Sequence, residues 1–221
     1  MKKGKLIVVE GACDGVGKTT QVELLKEYLE QYGEVVTHHF PTYHETSGFL
    51  VEKYLAGELG KLEELSPYFI NSLYAIDRAI VSKNELVPAL NEGKNVLLDR
   101  YTTSSVIYQA ANIPLENDAK KEFIEYVLDY EYNRLGIIKP DMVIFLTAPY
   151  ELIQQIRNAR NGNDGVQKDI HETNDEYLRN VYNTAQYACE LLGWNRIECA
   201  DGDHMRSIEE ISEDIKKLVK M

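Results

Sequence analysis

The chain has 221 residues, a length that one domain with its own hydrophobic core accommodates. Hydrophobic residues make up 44%, and 24 basic side chains stand against 36 acidic ones, a formal net charge of -12. Such a surface repels nucleic-acid polymers and anionic membranes, which puts it at odds with the strongest motif in the chain, an anion site.

The first apolar run, Leu6–Val9, is short and unbroken, the pattern of a strand buried on both faces of a parallel sheet. A glycine-rich turn follows it. Val22, Leu25, Leu29 and Tyr32 then recur at helical spacing, with Gly33 as the stop. Further strands are predicted at 35–37, 96–98, 142–146 and, more weakly, 197–199. Helical patterns separate them at 66–92, 116–134, 149–160 and 173–193. The last helix opens on Ser207-x-x-Glu210, a capping box, with Ile208, Ile211, Ile215 and Leu218 on one face. Strands alternating with helices imply an α/β fold in which a five-stranded parallel sheet is flanked by helices on both faces. No linker or repeat divides the chain, so residues 1–221 read as one domain. The polar, glycine-rich stretch at 161–165 interrupts the rhythm, and a short lid over about 157–172 is expected there.

Cys13, Cys189 and Cys199 are widely spaced and form no C-x-x-C pair. A disulfide framework is therefore not expected, and a cytoplasmic location is. The amino terminus has too few apolar residues for a signal peptide, and no run reaches the roughly 18–20 needed to span a bilayer.

The turn after the first strand is Gly11-Ala12-Cys13-Asp14-Gly15-Val16-Gly17-Lys18-Thr19-Thr20. Between a strand and a helix, this reads as a P-loop: backbone N–H groups cradle polyphosphate, Lys18 reaches the β/γ oxygens and the Thr19 hydroxyl ligates Mg²⁺. Its spacing is one residue longer than the strict pattern, with Gly11 displaced outward. Cys13 reads as a small packing residue. ATPases, GTPases and small-molecule kinases all remain open at this point. A guanine-reading Asn-Lys-x-Asp segment is missing, and a polar lid carrying Arg157 and Arg160 favours a kinase that closes over two nucleotides, although both arginines also suit an exposed helix face.

Three more segments narrow the choice. Phe40-Pro41-Thr42-Tyr43 follows the second strand, Tyr74-Ala-Ile-Asp77-Arg78 lies in the long helix, and Asp99-Arg100-Tyr101 follows the third strand, at the carboxyl end of the sheet where α/β enzymes place ligands. In this order, with the P-loop, the motifs resemble the thymidylate kinase family, from about Lys5 to Val219. The resemblance implies the P-loop kinase fold, transfer of the γ-phosphoryl of ATP to dTMP with Mg²⁺, and a homodimer. Asp14 then contacts the acceptor sugar and helps place the metal, Arg100 binds the acceptor phosphate, and Asp99 steers Mg²⁺ through water. Tyr74 stacks on the base and Arg78 reaches it. Ser104, Ser105, Tyr108 and Gln109 line the deoxyribose, where the Tyr108 ring crowds a 2'-hydroxyl. Arg157 and Arg160 compensate charge from the lid, Glu172 is the lid-end acid beside the metal, and His171 stands where some relatives carry tyrosine.

The chemistery is consistent with these roles, because a phosphate acceptor is already anionic near neutral pH. It needs no general base, only cancellation of charge repulsion and in-line positioning. The alternatives are a kinase for another or several deoxynucleoside monophosphates, and a non-catalytic ATP-binding regulator. One departure stands out. Relatives often carry an arginine within two residues of Phe-Pro, whereas this chain has Thr42-Tyr43-His44. Tyr43 still offers a hydroxyl, and Thr42→Arg is expected to tighten dTMP binding if the pocket lacks a cation there. His38, His39 and His204 read as structural or exposed.

Overall fold

Alternation along the first strand builds two layers at once. In β1 (Leu6–Gly11) every residue is buried. Ile7 and Val9 point into one apolar cluster with Leu25, Leu29, Ile211 and Ile215. Leu6 and Val8 point into the opposite one with Val81, Leu86 and Leu90. Each fully buried aliphatic side chain of this kind stabilises the fold by about 1.5–3 kcal/mol. The structure is a computed structural model and describes residues 3–61, 64–113, 118–161 and 175–220, with only the backbone for 160 and 161.

The chain continues through α1 (Lys18–Glu30), β2 (Val35–His39), α2 (Phe49–Leu55), α3 (Pro67–Val81), α4 (Val87–Asn91), β3 (Asn95–Asp99) and α5 (Thr102–Tyr108). It then forms α6 (Ala119–Leu128), β4 (Met142–Thr147), α7 (Tyr150–Asn161), α8 (Asp175–Leu192), β5 (Asn195–Glu198), a small hairpin of β6 (Ala200–Asp201) and β7 (His204–Met205), and α9 (Ile208–Val219). The five long strands form one sheet in the order β2-β3-β1-β4-β5, with all four pairings parallel. The predicted sheet and its flanking helices are therefore present.

The differences from the predicted elements are local. Helix α1 ends at Glu30, which leaves Tyr32 outside the helix and 54% exposed. The long helix at 66–92 is divided: Ser66 caps α3 by accepting from the Tyr68 N–H, and a π-helical turn at Ser82–Leu86 precedes α4. Pro88 cannot donate a helical hydrogen bond, and the wider turn lies where its partner carbonyl would be. A second π-helical segment, Asp129–Arg134, extends α6. Helix α2 and the β6–β7 hairpin were too short to give a periodic signal. The terminal capping box forms as expected, with the Ser207 hydroxyl accepting from the Glu210 N–H and the Glu210 carboxylate accepting from the Ser207 N–H. Most of the expected lid, including His171 and Glu172, lies outside the described residues.

Candidate active site

The carboxyl ends of β1, β2 and β3 lie side by side, with Val9 in register with Asp99 and Asp99 with His39. The turns leaving these three strands carry the site. After β1, Gly15 and Gly17 have φ of 101° and 96°, a left-handed conformation that glycine adopts without penalty. Gly17 caps α1, whose first residue is Lys18, so the helix opens directly onto the loop. A Cβ on Gly11 would come within 2.8 Å of Val16, so the loop closes tightly against itself. Cys13 is buried, and burial pushes its thiol up to about 12, which fits a packing residue.

A cleft of about 360 Å³ opens over these turns. One side carries Asp14, Lys18, Thr19, Asp99 and Arg100. Lys18 is ion-paired with Asp99, and the other Asp99 oxygen lies 3.2 Å from His39 Nδ1. Burial raises the Asp99 carboxyl, but His39 and Lys18 outweigh it and hold it at about 2. Arg100 has a left-handed φ of 69° and is ion-paired with Asp14, an attraction that pulls the Asp14 carboxyl below its ordinary value. The Arg100 guanidinium lies 5.2 Å from the Tyr108 ring centre.

The other side of the cleft is lined by Pro41, Tyr43, Tyr74, Arg78, Ser104, Ser105, Tyr108 and Gln109. Tyr74 meets Tyr54 edge-on at 6.2 Å, and the Arg78 guanidinium lies 6.0 Å from the Tyr74 ring centre. Arg78 Nη2 donates to the Ser105 hydroxyl at 2.7 Å and to Glu131 at 2.6 Å. Ser104 donates at 2.6 Å to Glu10, a fully buried carboxylate that also accepts from Thr103. Tyr177 of α8 donates to the Tyr108 carbonyl at 3.1 Å.

Thirteen of the residues singled out from the sequence therefore line one cleft. The loop residues Gly11, Ala12, Cys13, Gly15, Val16, Gly17 and Thr20 lie outside that lining. Arg157 pairs with Asp175 at 3.2 Å, and its backbone N lies 3.8 Å from where a Gly15 Cβ would sit, which places α7 against the loop. The Arg160 side chain, His171 and Glu172 lie outside the described residues. His39, read from the sequence as structural or exposed, is about half exposed and lines the cleft beside Asp99. Its position at the end of β2, directly before Phe40-Pro41, was the available signal. Thr42 is not among the lining residues: its hydroxyl lies 3.0 Å from His38 Nε2, and its N–H donates to Asp77.

Comparison with known proteins agrees with this geometry. The family model for thymidylate kinase matches residues 9–215. This chain belongs to the thymidylate kinase family. It is 32% identical to the thymidylate kinase of Caldicellulosiruptor saccharolyticus over 220 residues, covering 98% of this chain and 96% of that one. A thymidylate kinase of Plasmodium falciparum is also 32% identical, over 99% of this chain and 90% of its own length. A solved thymidylate kinase structure from Candida albicans superposes with a TM-score of 0.74 at 21% identity, covering 99% of this chain and 92% of that one, and so shares its fold.

Proposed function

We propose that this protein transfers the γ-phosphoryl group of ATP to dTMP, giving dTDP and ADP. The observation that carries the reading is the continuity of the cleft: the cations Lys18 of the loop and Arg100 after β3 and the aromatic, arginine-bearing pocket around Tyr74 and Arg78 share one lining. In this reading Lys18, Thr19 and the loop backbone hold the donor phosphates. Arg100 holds the acceptor phosphate, with Asp14 beside it. Tyr74 stacks on the thymine, Arg78 reaches its edge, and Ser104, Ser105, Tyr108, Gln109, Pro41 and Tyr43 enclose the sugar and base. Arg157 and Arg160 compensate charge, and His171 is a further substrate-binding residue. A single bidentate arginine–phosphate contact contributes about 1.5–3 kcal/mol.

The Thr19 hydroxyl and the Asp99 carboxylate are hard oxygen donors at the loop, a set that suits Mg²⁺, with Glu172 as a further acid. Among the described residues, no group of three or more His, Cys, Asp or Glu has a metal-holding arrangement, which fits an ion carried in on the polyphosphate rather than one held in a dedicated cage. When bound, Mg²⁺ supplies charge neutralisation between the β and γ oxygens.

The chain works as a single kinase domain. The exposed stripe Phe69, Ile76 and Ile80 on α3 supports a homodimer that covers it. Free Cys13, Cys189 and Cys199 support a reducing cytoplasm, and among the described residues no helix is long and apolar enough to cross a membrane. The test is a coupled ADP-release assay with ATP, Mg²⁺ and a panel of nucleoside monophosphates. dTMP is expected to give the highest kcat/KM. Turnover of another monophosphate with dTMP untouched would contradict the assignment, and ATP binding without turnover of any acceptor would mark a regulator.

A further inference from the structure

Glu131 was not singled out by any sequence motif, yet it is fully buried behind the cleft. It lies 53 positions from Arg78 in the chain, on the π-helical segment that extends α6. Its two oxygens accept from Arg78 Nε at 2.8 Å, from Arg78 Nη2 at 2.6 Å and from the Thr102 hydroxyl at 2.6 Å. Burial works against the Arg78 charge, but Glu131 outweighs it and raises the guanidinium above its ordinary value.

A guanidinium has five N–H donors. Two of those on Arg78 go to Glu131, one to Ser105 at 2.7 Å and one to the Tyr101 carbonyl at 3.5 Å. Among the described residues, the fifth, on Nη1, has no protein acceptor. Arg78 nevertheless lines the cleft beside Tyr74. A buried ion pair is a poor way to stabilise a core, since an apolar pair of equal volume is commonly as good or better. What it does supply is a fixed orientation for a charged donor.

We propose that Glu131 is a positioning residue for acceptor recognition: it clamps Arg78 so that a single N–H is left for the base, which selects a carbonyl over an amino group at that edge. This rests on the reading of the cleft as the dTMP subsite. A carbonyl accepts the remaining N–H, whereas an amino group sets donor against donor and leaves a buried N–H without a partner. The inference therefore places control of the Arg78 contact outside the set of residues that touch the ligand.

Steady-state kinetics of the full-length protein at saturating ATP–Mg²⁺, with dTMP and dCMP as acceptors, test the proposal. Glu131→Gln keeps the shape and one acceptor oxygen but turns an NH₂ toward its donors. It is expected to raise the KM for dTMP about tenfold and to lower the dTMP/dCMP ratio of kcat/KM by a similar factor. The kcat for dTMP and the KM for ATP should stay within about twofold of wild type. Thr102→Val removes one hydrogen bond to Glu131 without a change of volume, and its effect should be in the same direction at roughly threefold. In an Arg78→Met background, Glu131→Gln should add no further loss of discrimination.

A fall in melting temperature with unchanged dTMP KM and acceptor ratio would show a purely structural role and overturn the proposal. If Glu131→Gln does not fold, Thr102→Val decides alone, and an unchanged KM there overturns it equally. A wild-type protein that prefers dCMP contradicts both the clamp and the dTMP assignment. One that prefers a different carbonyl-bearing monophosphate contradicts only the assignment and supports the clamp.

Discussion

The two sides of the cleft are built differently. On the acceptor side, Arg78 is 1% exposed and Glu131 fully buried, and four of the five guanidinium donors are already committed. On the phosphate-facing side, Lys18 and Arg100 are paired with Asp99 and Asp14, whose side chains are 12% and 54% exposed. The acceptor pocket is thus organised by the protein's own hydrogen bonds. In the proposed reading Lys18 and Arg100 exchange a carboxylate for a phosphate, and that exchange costs less at the half-exposed Arg100–Asp14 pair than at the largely buried Lys18–Asp99 pair. The contrast teaches that, in the proposed reading, the base-facing arginine is oriented by the fold, whereas charge compensation is assembled with the substrates.

The largest effect that would break this comparison concerns the phosphate-facing side. Lys18→Ala is expected to lower kcat by about 10²–10³-fold with little change in the KM for dTMP, measured under saturating ATP. A comparable rise in dTMP KM would mean that the two sides are not separable. Next, Arg100→Lys replaces a planar fork with a point charge, and kcat/KM for dTMP should fall about ten- to a hundredfold. Because Asp14 already holds Arg100 in place, the loss should appear in both kcat and KM. Wild-type kinetics in this variant would remove Arg100 from the acceptor phosphate.

A third prediction concerns the strut beneath the acceptor side. Lys120 is buried and donates to the Ala110 carbonyl at 2.7 Å and to Thr184 at 2.8 Å. Burial lowers its pKa from 10.5 to about 8. The unfolded chain therefore binds the proton more tightly between these values. Stability should rise as pH increases from about 8 to 10.5, and below about 8 the full cost of the buried charge is present. Thermal unfolding across that window should show a wild-type increase of roughly 5 °C relative to Lys120→Met. Parallel curves for the two proteins would rule out a charged, desolvated Lys120. The smallest effect is expected at Thr42, whose side chain faces His38 and whose N–H is held by Asp77. Thr42→Arg should shift the KM for dTMP by less than about threefold, since His39 and Arg100 already occupy the neighbouring wall. A tenfold tightening would mean that the cleft lacks a cation at that point.

The residues legible in the sequence were those whose role is set by neighbours in the chain. The loop between β1 and α1 and Asp99 at the end of β3 follow from short-range pattern and strand position, whereas Arg100, Tyr74 and Arg78 were singled out by the family resemblance. Glu131 was not legible, because an acid in a polar stretch reads as solvated until tertiary packing buries it; Glu10 was not, because an acid at the end of an apolar strand gives no sign of its partners. Glu10 becomes a buried acceptor only when Thr103 and Ser104 arrive from 93 and 94 positions away. The exposed His39 was not expected at the cleft, because its partner, Asp99, belongs to the adjacent parallel strand. The unbroken apolar run Leu6–Val9 marked β1 as a strand buried on both faces, while the π-helical turns left no mark in periodicity.

The central claim is that the acceptor pocket is organised independently of the donor, and calorimetric titration of the wild-type protein with dTMP in EDTA tests it most directly. Saturable one-to-one binding is predicted, with a Kd that changes less than about threefold when ADP and Mg²⁺ are added. Binding of dTMP that appears only after ADP and Mg²⁺ are present would contradict the account.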